Sequence, residues 1–198
     1  MKEHLILASE SPRRKELLES VGCRFDVIPS DTDESKVRWD RENPANYAME
    51  LALLKAEHVA GLHPDRFVIA ADTIVVLDRM IYGKPKNRGH AREMLKSLSG
   101  KCHKVITGVC IMKKDENIQL VDHRCTDVWF DRLSDKKIES YLDTEEYKDK
   151  AGAYGIQDKG ALLVKRIEGC FFNVMGLPVN LLEEMFNKLG RSFLDDAK

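Results

Sequence analysis

Residues 5–22 predict a strand that leads directly into a helix. Residues 5–8 (LILA) are an apolar run of the length expected for a buried strand. Ser11 is a favourable N-cap, Pro12 suits the first helical position, and Gly22 is a typical helix terminator. A strand followed at once by a helix is typical of α/β folds, so this stretch restricts the fold class of the chain.

The same alternation of apolar runs and amphipathic segments continues along the chain. Hairpin turns are expected at residues 78–79 and 115–117, and no internal repeat or linker divides the 198 residues. The sequence therefore predicts an α/β fold with a mixed sheet and flanking helices, in a single domain over residues 1–198. Further strands are expected at residues 24–28, 67–77, 103–112, 118–130 and 161–167. Further helices are expected at residues 47–60, 88–98, 135–142 and 177–189.

Two adjacent arginines, Arg13 and Arg14, fall in the first turn of the predicted N-terminal helix. Positive side chains are unfavourable there, because the helix macrodipole is positive at this end. A bound anion would offset the repulsion, and phosphate matches backbone N–H groups, serine hydroxyls and guanidinium groups. The alternative is a solvated arginine pair on a surface helix. The flanking Ser9, Ser11 and Pro12 favour the anion site.

Three further features are compatible with phosphate chemistry. Asp72 lies within an otherwise apolar run, where burial of a carboxylate is costly unless a cation or strong donors meet it. Glu34 belongs to an acidic loop at residues 31–34, which either binds Mg²⁺ or is simply solvated. Lys84 lies in a tight turn before Pro85. Together with the arginine pair, these groups indicate a metal and polyphosphate site, although Asp72 alone could also be a structural cap.

Composition excludes several other classes of protein. The formal net charge of −1 gives no bulk electrostatic attraction to nucleic acid or to a membrane surface. The longest apolar runs, such as those at residues 68–71 and 74–77, are far shorter than the roughly 20 residues of a membrane span. The five cysteines are scattered without a zinc-binding or disulfide pattern, and no P-loop motif is present. We therefore expect a cytoplasmic protein that binds a small molecule.

Six segments occur in a fixed order along the chain: residues 7–14 (LASESPRR), 70–73 (AADT), 83–85 (GKP), 98–100 (LSG), 149–157 (DKAGAYGIQ) and 173–178 (NVMGLP). In this order they resemble the successive motifs of the Maf family of nucleoside triphosphate pyrophosphatases. The resemblance implies a twisted mixed-sheet α/β fold related to the inosine triphosphate pyrophosphatases, with a cleft between two lobes. It also implies hydrolysis of a nucleoside triphosphate to the monophosphate and pyrophosphate with Mg²⁺ or Mn²⁺, and a possible homodimer.

The resemblance also assigns roles to particular residues. Asp72 takes the catalytic position, and Glu34 and Asp72 take the metal-binding positions. Gln157 takes the position associated with pyrimidine bases, which implies dTTP and UTP as substrates. Two alternatives remain open: action on a purine or another modified nucleotide, and a non-catalytic role in the regulation of cell division. The implied substrate-binding residues are Ser9, Ser11, Arg13, Arg14, Lys55, Thr73, Lys84 and Gln157.

Overall fold

The computed structural model describes residues 4–196. Its strands are β1 (Leu5–Leu7), β2 (Phe25–Val27), β3 (Val68–Leu77), β4 (Met80–Tyr82), β5 (Cys102–Lys113), β6 (Ile118–Phe130) and β7 (Val164–Glu168). Its α-helices are α1 (Pro12–Ser20), α2 (Pro44–Leu62), α3 (Arg88–Leu98), α4 (Asp135–Leu142), α5 (Phe171–Met175) and α6 (Val179–Asn187). Short 3₁₀ helices occupy Glu34–Lys36, Ala151–Ala153, Asp158–Leu163 and Phe193–Asp196.

The strands form one mixed sheet of seven strands in the order β2-β1-β3-β5-β6-β7, with β4 also paired to β3. β1 runs parallel to β2 and β3, whereas the other pairs are antiparallel. The expected turn between β3 and β4 is a two-residue loop in which Asp78 and Arg79 have φ of 52° and 61°. Positive φ at both positions matches the twist of a tight hairpin. The predicted α/β class with a mixed sheet and flanking helices is confirmed.

The long strand β3 has an interrupted edge. β1 pairs with Val68 and Ile69, and β4 pairs with β3 from Val75 to Leu77. In the described part of the chain, residues 70–74 therefore lack a strand neighbour on this edge, while β5 pairs with them on the other edge. An edge without a strand leaves backbone groups and side chains accessible, so this gap is the natural place for a binding site.

The packing on one face of β3 also changes at this gap. Ile69 and Ala71 belong to a core that contains α1 and α6, whereas Val75 and Leu77 belong to a core that contains α3 and α4. Side chains alternate between the faces of a strand, so Thr73 lies on this face between the two cores. The implied cleft between two lobes therefore has a physical basis, because each lobe has its own set of packed helices.

Helix α2 covers the opposite face of the sheet at unusually short range. Gly108 of β5 pairs with Asp72 of β3, and a Cβ atom at Gly108 would lie 2.3 Å from the carbonyl oxygen of Ala48 in α2. Only glycine permits this approach. Lys55 follows Ala48 by seven residues, or about two helical turns, and so projects from the same side of α2 toward the sheet. The contact at Gly108 thus helps to bring Lys55 to Asp72.

Two elements differ from the sequence predictions. The strand expected at residues 161–167 begins only at Val164, because Asp158–Leu163 forms a 3₁₀ helix. The helix α5 was not predicted, because its five residues are too few to show helical periodicity. In the range 4–196, the structure contains no helix that is both long and apolar enough to cross a membrane.

Candidate active site

A cavity of about 750 Å³ opens at the interrupted edge of β3. Its walls come from α1, the Glu34 loop, α2, the turn after β4, and residues 149–157. All ten side chains that the sequence analysis singled out lie around this cavity, so the fold brings together residues far apart in the chain. These are Ser9, Ser11, Arg13, Arg14, Glu34, Lys55, Asp72, Thr73, Lys84 and Gln157.

One side of the cavity holds a lysine between two carboxylates. The Nζ of Lys55 donates to Oδ1 of Asp72 at 2.5 Å and lies 2.8 Å from Oε1 of Glu34. The Lys55 and Asp72 side chains are only 13% and 15% exposed, whereas Glu34 is 53% exposed. The buried carboxylate in β3 therefore has the cation that its burial requires. Burial, with the negative charges of Asp72 and Glu34, raises the pKa of the nearby Tyr47 phenol.

Within the acidic loop, Glu34 and Asp33 have different roles. Asp33 caps the 3₁₀ helix Glu34–Lys36, because its Oδ1 accepts from the backbone N–H of Ser35 at 3.1 Å. Hydrogen bonds from Ser35 also lower the pKa of the Asp33 carboxyl. The capped turn presents Glu34, the next residue, to the cavity. Of the three acids in this loop, Asp33 thus shapes the turn and Glu34 faces the site.

Arg14 makes four hydrogen bonds to uncharged acceptors of the protein itself. Its guanidinium donates to the carbonyl oxygens of Ala71 and Gly176, both at 2.8 Å, and to the hydroxyls of Ser9 and Thr73, both at 3.1 Å. These bonds use four of the five N–H donors of the side chain. Ala71 lies on the interrupted edge of β3, so Arg14 satisfies a carbonyl that has no strand neighbour there. Burial lowers the pKa of Arg14.

The hydroxyl of Thr73 continues this buried polar chain through the sheet. Thr73 Oγ1 lies 2.9 Å from Oγ1 of Thr107, which in turn donates to the carbonyl oxygen of Asn173 at 3.0 Å. The amide of Asn173 donates to Thr126 on β6 at 2.9 Å. The chain of contacts joins β3, β5, β6 and α5 and holds Thr73 in one orientation at the cavity wall.

Arg13 differs from its neighbour, because among residues 4–194 it has no such hydrogen-bond partner. In the same range, no carboxylate oxygen lies within 4.0 Å of Arg13, Lys84 or Lys150, and all three line the cavity. Burial lowers the pKa of the Arg13 guanidinium, although the carboxylate of Glu16 opposes this effect. The site thus carries positive charge in excess, which favours a strongly anionic ligand.

A family model described as Maf-like protein matches residues 4–189 of the chain. The chain belongs to the Maf-like protein family. Proteins named dTTP/UTP pyrophosphatase are similar to it over most of their length. The protein of Clostridioides difficile (strain 630) is 48% identical over 185 residues, which cover 93% of this chain and 94% of the relative. That of Alkaliphilus metalliredigens (strain QYMF) is 46% identical over 187 residues, which cover 94% and 96%.

Among solved structures, the HAM1 protein from Coxiella burnetii is similar to this Maf-like chain at a TM-score of 0.45 and 16% sequence identity. The match covers 66% of this chain and 74% of that one. The Ham1 protein of Staphylococcus aureus matches with a TM-score of 0.46 and 15% identity, over 65% of this chain and 72% of that one. Similarity at this level indicates nothing further about the site.

Two serines and a glutamine complete the cavity of this Maf-like chain. Ser9 Oγ accepts from Arg14 and from the backbone N–H of Ser11, the latter at 3.3 Å. Ser11 occupies the expected N-cap position of α1, but its side chain makes no capping hydrogen bond. Gln157 precedes the 3₁₀ helix Asp158–Leu163 and likewise makes no capping bond. The backbone N–H groups that begin α1 are therefore not capped by Ser11.

Lys150 is a cavity residue that sequence reasoning did not select. It lies in the segment 149–157, which was noted for its glycines and for Gln157 rather than for its lysine. The backbone N–H of Gly152 donates to the carbonyl oxygen of Gly83 at 3.1 Å, so this segment is joined to the turn that carries Lys84. A lysine next to a glycine-rich segment was the available signal.

Proposed function

We propose that this chain hydrolyses nucleoside triphosphates, principally dTTP and UTP, to the monophosphate and pyrophosphate. The observation that carries the proposal is the division of charge within one cavity. Lys55 is shared by Asp72 and Glu34 on one side, while among residues 4–194 no carboxylate oxygen lies within 4.0 Å of Arg13 or Lys84. Such a site suits a polyphosphate. Cations neutralise the charge at one end of it, and a water molecule attacks phosphorus at the other end. The names of the relatives support the same substrates.

The reaction that fits these groups is attack of a water molecule on the α-phosphorus, with pyrophosphate as the leaving group. Asp72 orients this water and accepts its proton, and Lys55 holds the carboxylate in position. Arg13 and Lys84 neutralise the charge that grows on the departing pyrophosphate. Arg14 stabilises this arrangement, because its hydrogen bonds hold Ser9 and Thr73 in position.

We further propose that Glu34 and Asp72 hold Mg²⁺ or Mn²⁺. The two carboxylates already converge on one cationic atom, the Nζ of Lys55, and carboxylate oxygens are preferred ligands of both metals. Residues 4–196 contain no cluster of three or more His, Cys, Asp or Glu side chains able to hold a metal, so phosphate oxygens and water would supply the other ligands. When bound, the ion would neutralise phosphate charge and polarise the phosphorus centre.

Analysis of the products by chromatography, after incubation with each triphosphate and Mg²⁺, tests the proposed function. We expect UMP or dTMP together with pyrophosphate. Release of inorganic phosphate would instead indicate cleavage at the outer bond. A preference for a purine or modified nucleotide would support the first alternative, and the absence of turnover on every substrate would favour a non-catalytic regulator.

We expect Gln157→Glu to reduce activity on dTTP and UTP while sparing other triphosphates. An amide both donates and accepts, so Gln157 can pair with the carbonyl and imide N–H of uracil or thymine, whereas glutamate loses the donor. An unsatisfied buried partner costs about 1–3 kcal/mol, or roughly 5- to 150-fold in kcat/KM. Parallel kinetics on dTTP, UTP and CTP measure the effect. An equal loss on every base would remove Gln157 from base recognition.

We expect Arg13→Ala to lower kcat/KM by about tenfold or more, because it removes a cation that faces the charge developing on the leaving group. Arg24→Ala is the matched control, since Arg24 is exposed and lies outside the cavity. If Arg13 were only a solvated helix residue, its variant would match the control, with kinetic constants within about twofold and stability within about 0.5 kcal/mol.

We also propose that residues 1–198 act as a single domain in the cytoplasm, on a small-molecule substrate rather than on nucleic acid. The net charge of −1 supports a local rather than a bulk recognition of phosphate. A homodimer remains part of the proposal from family resemblance, and light scattering at working concentration would measure the oligomeric state.

A further inference from the structure

The backbone around Lys150 is unusual. Asp149, Ala153 and Asp158 have φ of 57°, 61° and 53°, in the left-handed region that side chains other than glycine rarely adopt. Aspartate adopts this region more readily than most residues, so Ala153 is the strained position, and strain of this kind clusters at binding and catalytic sites. The backbone conformation of residues 149–158 therefore depends on contacts with the rest of the protein.

The side chain of Lys150 follows a defined path within this segment. Its Nζ donates to the carbonyl oxygen of Glu146. Its aliphatic part crosses Gly155, where a Cβ atom would lie 2.9 Å from Cε and 3.1 Å from Cδ of the lysine. The absence of a side chain at Gly155 is thus what lets Lys150 lie where it does, at the wall of the cavity.

Among residues 4–194, Lys150 forms no direct ion pair. Acidic side chains at Glu146, Asp149 and Asp158 lie in its neighbourhood, but none approaches within 4.0 Å. Burial, and then the positive charge of Arg13, lower the pKa of the Lys150 ammonium, and the three acids offset part of this effect. A half-buried cation beside a second cation is well placed to meet an anionic ligand.

The position of Lys150 indicates which part of a triphosphate it would meet. The hydrogen bond from Gly152 to Gly83 joins its segment to the turn of Lys84, so Lys150 and Lys84 belong to one wall, and the charge of Arg13 acts on Lys150 from nearby. Asp72 and Lys55 are in a separate ion-paired cluster. With the α-phosphorus at Asp72, the β- and γ-phosphates are the groups that remain to face this cationic wall.

We infer that Lys150 binds the β- and γ-phosphates of the triphosphate and retains the pyrophosphate product, with Gly155 as the residue that makes room for it. The inference rests on the proposed function. The ammonium uses one N–H for Glu146 and has two more for phosphate oxygens.

Lys150→Met tests the inference, with Lys159→Met as the matched control, because Lys159 is exposed and lies outside the cavity. Calorimetric titration with inorganic pyrophosphate and, separately, with UMP measures the two ends of the ligand. We expect Lys150→Met to weaken pyrophosphate binding by about 10- to 100-fold and to leave UMP binding within about twofold. Equal binding of pyrophosphate by both variants would overturn the inference, as would an equal loss for pyrophosphate and UMP.

Gly155→Ala separates the position of the ammonium from its charge. The added methyl group displaces the lysine side chain, whose flexible end can move, and keeps the net charge unchanged. We expect it to weaken pyrophosphate binding in the same direction as Lys150→Met, and to add little when the two substitutions are combined. Normal pyrophosphate binding by Gly155→Ala would contradict the role of Gly155, and fully additive losses would contradict its action through Lys150.

Turnover by the unmodified protein distinguishes this inference from the proposed function. If the unmodified chain releases no pyrophosphate from any triphosphate, the proposed function fails. The pyrophosphate titration still tests whether Lys150 binds pyrophosphate. If the unmodified chain is active and Lys150→Met keeps kcat/KM for UTP within about twofold, the inference about Lys150 fails alone.

Discussion

Asp72→Asn is expected to lower kcat by about 10²- to 10⁴-fold, the usual effect of removing a general base. The amide keeps the shape of the side chain but cannot accept the proton of the attacking water, and it is a weaker metal ligand. The fold should survive, because asparagine still accepts a hydrogen bond from Lys55. Pyrophosphate release on UTP, together with thermal unfolding, measures the two properties separately.

Asp127→Asn provides the control for this substitution. Like Asp72, Asp127 accepts a hydrogen bond from a lysine. Its partner is Lys104 on the neighbouring strand, at 2.8 Å, and the pair lies outside the cavity. The control should keep full activity. Asp72→Asn activity within a few-fold of the control, in a preparation free of contaminating enzyme, would remove Asp72 from the mechanism.

Lys55→Met is expected to lower kcat/KM by about 10²- to 10³-fold, the range observed when one electrostatic stabiliser is removed from an active site. It should also destabilise the fold, because Asp72 is 15% exposed and would lose its cation. Removing one partner of a buried pair costs about 3–5 kcal/mol, and partial solvent access here makes that range an upper limit. Urea unfolding measures the stability, and Lys104→Met is the control.

The double variant Lys55→Met with Asp72→Asn separates these two effects. Neutralising both partners removes the unpaired buried charge, so most of the lost stability should return while activity stays at the level of Asp72→Asn. A double variant no more stable than Lys55→Met would show that Lys55 contributes through packing rather than through its ion pair.

Local patterns predicted most of the elements because hydrophobic period, caps and turns act over a few residues. The β3–β4 hairpin, the α3 helix and the long β5–β6 pair follow such patterns closely. The strand expected at residues 161–167 was partly wrong, because residues 158–163 form a 3₁₀ helix in which Gly160 lies close against the backbone of Gly155. Helix α5 was missed because a five-residue helix carries too little periodicity.

The sequence by itself determined several of the charged groups that line the cavity. An arginine pair after a strand, a carboxylate in an apolar run and a lysine in a proline-limited turn were recognisable because each stands out from its local surroundings. The serine hydroxyls and helix N–H groups beside the arginine pair favoured phosphate as the ligand. The resemblance to the Maf family implied the roles of Lys55, Thr73 and Gln157 and a nucleoside triphosphate as substrate.

Only the tertiary structure decided which of those groups already have hydrogen-bond partners. Arg13 and Arg14 are adjacent in sequence, yet Arg14 donates four hydrogen bonds to Ala71, Gly176 and two hydroxyls, while Arg13 lines the cavity with no carboxylate oxygen within 4.0 Å among residues 4–194. Successive side chains on a helix point in directions about 100° apart, so neighbours meet different surroundings. The partners of each arginine come from groups distant in sequence. Packing sets their approach, and no local pattern encodes it.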